Sequence, residues 1–229
     1  MVNNRIVKIS YTGRVKDGSV FDTTDERIAK DEGIYNDKKV YSPLPLVVGE
    51  RHVIEGLDEA LNDMRVGEEK TVEIPPEKAY GKRDPNLIRL VSLGLFKKKN
   101  INPVPGMVVE LDGRYAKIQT VSGGRVRVDF NHELAGKTVV FDVKLEDEAK
   151  TKKDKIKFLI ERSFNSSDGF NIKITGKRAE IEIPQNAYKD KNLLLRKASL
   201  SAELFKYIGL DEIIFREIWK NPEGQKEKK

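Results

Sequence analysis

The chain has no cysteine and only two histidines, His52 and His132, which leaves few routes to covalent chemistry. Disulfides, thiolate nucleophiles and sulfur-ligated zinc or iron–sulfur sites are excluded, and so is a His-rich metal centre. No metal or cofactor is expected at the site. Two related stretches are its first candidates: "EIPPEKAYGKRDPN" at 73–86 and "EIPQNAYKDKN" at 182–192. Each reads Glu-Ile-Pro, a polar spacer, Ala-Tyr and a charged run ending in Asn, so the question is whether there is one working tyrosine or two. His52 reads as a solvated residue at a helix start, and His132 in "NHELAG" as a hydrogen bonder at a hinge.

The elements that must position such a site divide the chain. At 229 residues, 38% apolar and 35% charged, it is globular and long enough for two or three units. It has no run of about 18 apolar residues, and the N-terminus is strand-like, so a soluble cytoplasmic protein with no membrane role is expected. A net charge of +6 suits attraction to RNA or a ribosome. Acids and bases are interspersed, however, and the one compact basic run, Lys97-Lys98-Lys99, is short; nucleic acid is not the expected partner.

"RIVKISY" alternates as a half-buried strand with Val7, Ile9 and Tyr11 on one face, and Asp17-Gly18 turns it into a second strand carrying Val20 and Phe21. Residues 24–42 are polar and read as a surface excursion. Gly49 ends an apolar run, after which Val53, Ile54, Leu57, Ala60, Leu61 and Met64 recur at helical spacing. "EKTVEIP" is a strand stopped by Pro75-Pro76, because proline cannot donate to a ladder.

From 85 to 132, turn signals at Asp112-Gly113 and Gly123-Gly124 separate alternating runs, which reads as a small inserted β unit. "GKTVVFDVKLED" then resumes a long strand that must join the sheet begun before the insert. Residues 149–229 form a third, α+β unit in the order helix, strand, strand, helix, strand, with "KNPEGQKEKK" as a frayed tail. Ile213, Ile214, Phe215, Ile218 and Trp219 in its last strand either pair with a second subunit, giving a homodimer, or pack internally.

Four separated motifs in order, "YTGRVKDGSVFDTT", "VVGERHVIEGLDEAL", "VGEEKTVEIPPEKAYG" and "LAGKTVVFDVKL", resemble the signatures of the FKBP-type peptidyl-prolyl cis/trans isomerases. The insert after Ala-Tyr-Gly is similar to the SlyD-type branch, whose flap carries a chaperone domain. The resemblance implies an antiparallel sheet wrapped on a short helix at 1–84 and 133–148 with an inserted β-rich domain at 85–132; residues 149–229, which resemble no named family, are read from their own pattern as a separate C-terminal α+β domain, so the fold class expected is α+β. It implies an apolar cavity in which Tyr11, Phe21, Asp22 and Tyr80 act on the substrate, while Leu44, Val53, Ile54, Leu57, Leu134 and Phe141 line it. The family commonly has Trp where Leu57 stands, which implies a wider or shallower cavity here.

The implied substrates are unfolded or partly folded proline-containing chains. Leu90, Val91, Leu93, Leu95, Phe96 and Met107 of the insert are either its core or a client-binding surface, and the resemblance favours the second. The alternative function is a holdase with little isomerase activity. Rotation about the X-Pro bond needs no proton transfer, so a site without His or Cys suits it. Asp22 either accepts a hydrogen bond from Tyr11 or another wall residue, or sits near the twisting carbonyl; the structural role is favoured. The Tyr80 hydroxyl would donate to a substrate carbonyl.

Overall fold

The computed structural model describes residues 5–219; the tail "KNPEGQKEKK" lies outside the described residues. The chain enters on β1 (Ile6–Val15) and returns on β2 (Val20–Thr23), the turn between them made by Asp17 at φ 58°. The stretch read as a surface excursion holds a short helix, α1 (Glu26–Asp31). It forms because the Asp25 carboxylate accepts the amides of Arg27 and Ile28 at 2.7 and 3.1 Å, while Ala29 is fully buried. β3 (Leu44–Val47), α2 (Glu55–Leu61) and β4 (Glu69–Ile74) follow. The sequence pattern ran to Met64, but α2 closes at Leu61.

The insert has its own fold: β5 (Ile88–Ser92), α3 (Leu93–Lys98), β6 (Val108–Leu111), β7 (Arg114–Ser122) and β8 (Arg125–Asp129). The strands pair antiparallel in the order β5–β8–β7–β6. Phe96, Val109, Leu111, Ala116, Ile118, Val126 and Val128 form its core, with Val91 and Leu93 packed against it. Of the six residues proposed as client contacts, Phe96 is therefore a core residue: α3 must bury one face on the sheet, and Phe96 is its anchor. Leu90, Leu95 and Met107 are exposed.

β9 (Val139–Glu148) returns to the first sheet, whose order is β2–β1–β9–β4 with β3 paired to β1. α4 (Lys152–Phe164) opens on a reciprocal cap, Thr151 with Asp154. β10 (Asn171–Thr175) and β11 (Arg178–Ile183) are antiparallel, α5 (Leu193–Ile208) ends at Gly209 in the left-handed region, and β12 (Glu212–Glu217) runs parallel to β11. A parallel pair needs a crossover, and α5 supplies it. The last strand thus pairs internally, with Ile213 beside Ala179 and Phe215 beside Ile181.

The chain divides into two compact units. One comprises the residues up to Arg14, Ser19–Val72 and the chain from Phe141 onward; the other comprises Val15–Gly18 and Glu73–Val140. In the first unit the start of β1 is buried on both faces, not one. Val7 and Ile9 point one way, while Ile6, with Val47 opposite it on β3, belongs to a core shared with Ile156, Leu159, Ile160, Ile181 and Leu204. The C-terminal helices cover the face that the alternation had left to solvent. Among the described residues no helix is long and apolar enough to cross a membrane.

Candidate active site

Three aromatic rings converge at the far end of β1. Phe141 on β9 lies 5.7 Å from Tyr11 and 5.7 Å from Phe21, edge-on to the latter at 76°. Phe141 and Phe21 meet over Gly13, where an added Cβ would stand 2.7 Å from the Phe141 ring and 3.0 Å from the Phe21 ring. Gly13 is required because the rings occupy the space of its missing side chain. Tyr11 and Phe21 are half-buried, whereas Phe141 is only 4% exposed, so it backs the cluster.

Asp22 takes the structural role that the sequence favoured. The Tyr11 hydroxyl donates to its carboxylate at 2.7 Å, and Lys39 pairs with the other oxygen while also donating to the Thr23 carbonyl at 2.8 Å. The Tyr11 backbone is fixed in turn, since its amide donates to Thr24 Oγ1 at 2.9 Å and its carbonyl accepts from the Thr24 amide at 3.0 Å. Lys39, seventeen positions from Asp22, left no signal in the sequence.

Val53 and Ile54 are half-buried where the 48–54 loop turns into α2, and Leu57, 1% exposed, lies in the core below. Leu44, also half-buried, faces Ile9 across the β1–β3 pair and so shares its side of the sheet. The helix start has no side-chain cap; the buried Asp58 instead accepts the amides of Gly49 at 2.9 Å and Arg51 at 3.0 Å. Arg5 collects the carbonyls of Leu61, Asn62 and Met64 at 2.9–3.0 Å and pairs with Glu148 at 2.7 Å, closing the other end of α2. Neither residue was found from sequence. An acid inside an apolar helix pattern was a usable signal for Asp58, and Arg5 gave none.

His52 is not the solvated residue expected. Its Nδ1 accepts the Val47 amide at 3.1 Å, and Arg162 Nη1 lies 3.1 and 3.2 Å from its two ring nitrogens. Burial, then the Arg162 cation, lowers its pKa to about 4, so the ring is neutral at pH 7.

Tyr80 and Leu134 belong to the second unit. A 3₁₀ turn over Pro76–Lys78 leads to Gly81, whose amide donates to the Pro76 carbonyl at 2.7 Å with φ at 81°. The half-buried Tyr80 ring stacks on His132, centroids 4.7 Å apart and planes 3° from parallel. His132 Nδ1 accepts the amide of the buried Leu134 at 3.1 Å, the hinge role read from its motif. The two chain segments leaving and re-entering this neck are tied by the Gly136 amide to the Gly81 carbonyl at 2.8 Å, by Asn131 with the Asp84 backbone at 2.9 Å twice, and by Arg83 with Asp129. Burial alone would raise the Asp129 pKa; hydrogen bonds from Asn131 and the Arg83 charge hold it below the ordinary value.

A family model described as "FKBP26, IF domain" matches residues 89–134, and another described as "FKBP26_C-terminal" matches residues 152–220, the part for which the sequence alone suggested no relative. A short-type peptidyl-prolyl cis-trans isomerase of Methanocaldococcus jannaschii is 45% identical over 141 residues, covering 62% of this chain and 89% of that protein. The FKBP-type isomerase SlyD of Treponema pallidum is 31% identical over 173 residues, 74% of this chain and 90% of that one. SlyD of Aeromonas hydrophila is 33% identical over 144 residues, 62% and 61% of the two chains. A solved structure of the three FKBP domains of wheat FKBP73 covers 65% of this chain and 40% of that one at 23% identity, with a TM-score of 0.33.

Proposed function

The chain belongs to the FKBP-type peptidyl-prolyl cis/trans isomerases, and from that premise we propose that the Tyr11–Phe21–Phe141 cluster, with Leu44, Val53, Ile54 and Leu57, seats the proline ring of an X-Pro bond. The observation that carries this is the ring cluster in which Phe141 packs on Tyr11 and, with Phe21, crowds over Gly13, an apolar wall on which the Tyr11 hydroxyl donates to Asp22.

The chemistry asks little of side chains. Rotating a peptide bond forfeits its resonance, with a barrier of about 18–20 kcal/mol, and cis and trans X-Pro forms differ by only about 0.5–1 kcal/mol. The planar amide is stabilised by charge separation that water favours; an apolar wall that excludes water favours the twisted form. A thousandfold acceleration needs only about 4 kcal/mol of such preference. On this reading Asp22 orients Tyr11 and does not touch the substrate, and the Tyr80 hydroxyl donates to a substrate carbonyl. Leu134 supports the neck beside Tyr80. The test is a proline-peptide isomerisation assay on the intact protein, Phe21→Ala and Tyr80→Ala. Full activity in both variants would remove this assignment.

We further propose that the insert holds unfolded or partly folded proline-containing clients. Supporting this, Leu90, Leu95, Val104, Met107, Val108 and Tyr115 are exposed on a 48-residue unit that carries eight basic and three acidic residues. Tethering a client there raises the concentration of X-Pro bonds at the seat. Replacing residues 85–132 by a short loop should spare turnover of short peptides and sharply reduce catalysed refolding of a whole protein; equal loss on both substrates would refute the division. The same exposed residues, with Leu194, Leu195 and Phe205 on α5, favour a second reading, a holdase with little isomerase activity. Aggregation suppression by a wild type inactive on peptides would establish it. A homodimer through the exposed face of α5 is open to light scattering of wild type against Leu194→Glu/Phe205→Glu.

A further inference from the structure

The loop that brings Val53 and Ile54 to the start of α2 is gripped from outside by the C-terminal helices. Its conformation is costly at one point: Gly49 takes φ 85° freely, but Arg51, a non-glycine residue, has φ 55°. Such backbone persists only where surrounding contacts over-determine it. On the inner side, Asp58 accepts the Gly49 and Arg51 amides, and the Val48 amide donates to the Arg5 carbonyl at 2.9 Å. On the outer side stand three residues of α4 and α5. The Glu50 carboxylate pairs with Lys206 and accepts the Tyr207 hydroxyl at 3.2 Å. His52 meets Arg162 Nη1 on one side and the Tyr207 ring on another, the two rings nearly perpendicular at 81° with centroids 6.3 Å apart. Arg162 is held in turn by Glu203 at 3.1 Å.

We propose that Arg162, Lys206 and Tyr207 are positioning residues for the isomerase, so that the C-terminal α4–α5 pair sets the shape of the wall formed by Val53 and Ile54. The inference rests on the proposed proline seat and deepens it. Two residues of one loop, Glu50 and His52, carry the grip, and the next two carry the wall. A shift of the helices is thereby transmitted over one to four peptide units. By linkage, a ligand that fills the seat must also tighten the hold of the C-terminal helices on the loop.

The test uses the full chain and a short proline peptide. Lys206→Ala/Tyr207→Phe removes the exposed jaw, and Arg162→Met/Glu203→Gln removes the buried one without leaving an unpaired charge. Each should lower kcat/KM by about three- to tenfold. For the exposed jaw the melting temperature should stay that of wild type while amide exchange at Gly49 and Arg51 becomes faster, and Lys206→Arg alone should keep wild-type kinetics. Wild-type kcat/KM and exchange in the exposed-jaw variant would overturn the proposal even if the buried-jaw variant failed to fold. Phe21→Ala, assayed in parallel, separates the two levels. If it collapses while the jaw variants do not, the positioning role fails alone. If it is fully active, the seat fails and the inference with it.

Discussion

The stretches 73–86 and 182–192 share a backbone plan up to their tyrosines. Both begin on a strand whose last residue, Ile74 or Ile183, is buried, and both leave it at a proline that cannot extend the ladder. Each then makes a 3₁₀ turn, Pro76–Lys78 or Gln185–Lys189. They part at the residue after the tyrosine. Gly81 adopts a left-handed φ that reverses the chain, and Tyr80 is left stacked on His132 at the neck of the insert. Lys189 instead continues the turn, so Tyr188 folds back: its hydroxyl donates to the Ile183 carbonyl at 3.1 Å and accepts the Ile218 amide at 2.7 Å. Its ring packs on Trp219, centroids 4.9 Å apart. A tyrosine whose hydroxyl joins the ends of two neighbouring strands is a fastener. The same dipeptide in a similar turn thus serves two purposes, and the flanking residue decides between them.

The strongest way to break this contrast is to remove the wall that the first tyrosine is proposed to serve. Phe21→Ala should lower peptide kcat/KM by about a hundredfold, and near-wild-type turnover would leave Tyr80 with no seat to serve. Gly13→Ala tests the same wall with one carbon atom. Its methyl must displace Phe141 or Phe21, and about a tenfold loss of activity with some loss of stability is expected; an unchanged enzyme would mean the rings are not fixed there. The two tyrosines can then be set directly against each other. Tyr80→Phe should lower turnover by about fivefold, whereas Tyr188→Phe should leave turnover alone and lose about 1–2 kcal/mol of stability by denaturant unfolding. The reverse pattern would invert the assignment.

The smallest effect concerns pH. His52 has its pKa depressed from 6.5 to about 4 by burial and Arg162, so the folded state disfavours its protonation. Its contribution to stability is complete above about pH 6.5 and declines as pH falls towards 4. The decline in thermal stability over that window should be shallower in His52→Gln than in wild type. Parallel curves would show that the ring is not held neutral by the C-terminal helices.

Much of this was legible in the chain. Alternation in "RIVKISY" and "GKTVVFDVKLED", the stops at Pro75 and Pro184, and the paired turns at Asp112-Gly113 and Gly123-Gly124 place strands because they are local conformational preferences. The Tyr11–Asp22 hydrogen bond was within reach because a hairpin turn sets that register. What was missed involves partners distant in sequence. Lys39 on Asp22, Arg5 on the carbonyls after α2, and Asp58 under the 49–51 amides are polar residues whose partners no periodicity announces. The reading of His52 as solvated failed for the same reason, since Arg162 is 110 positions away.

By itself the sequence determined most of the strands, the helices α2, α4 and α5, the absence of thiol chemistry and the four motifs of the isomerase, but not the short helices α1 and α3. The tertiary structure alone decided that Ile6 and Val47 are buried beneath C-terminal helices, that Phe96 is core, and that Glu50 and His52 face Arg162, Lys206 and Tyr207. The physical reason is range. Backbone preference and strand alternation act over a few residues, whereas burial and charge pairing depend on which surfaces meet once the chain has closed.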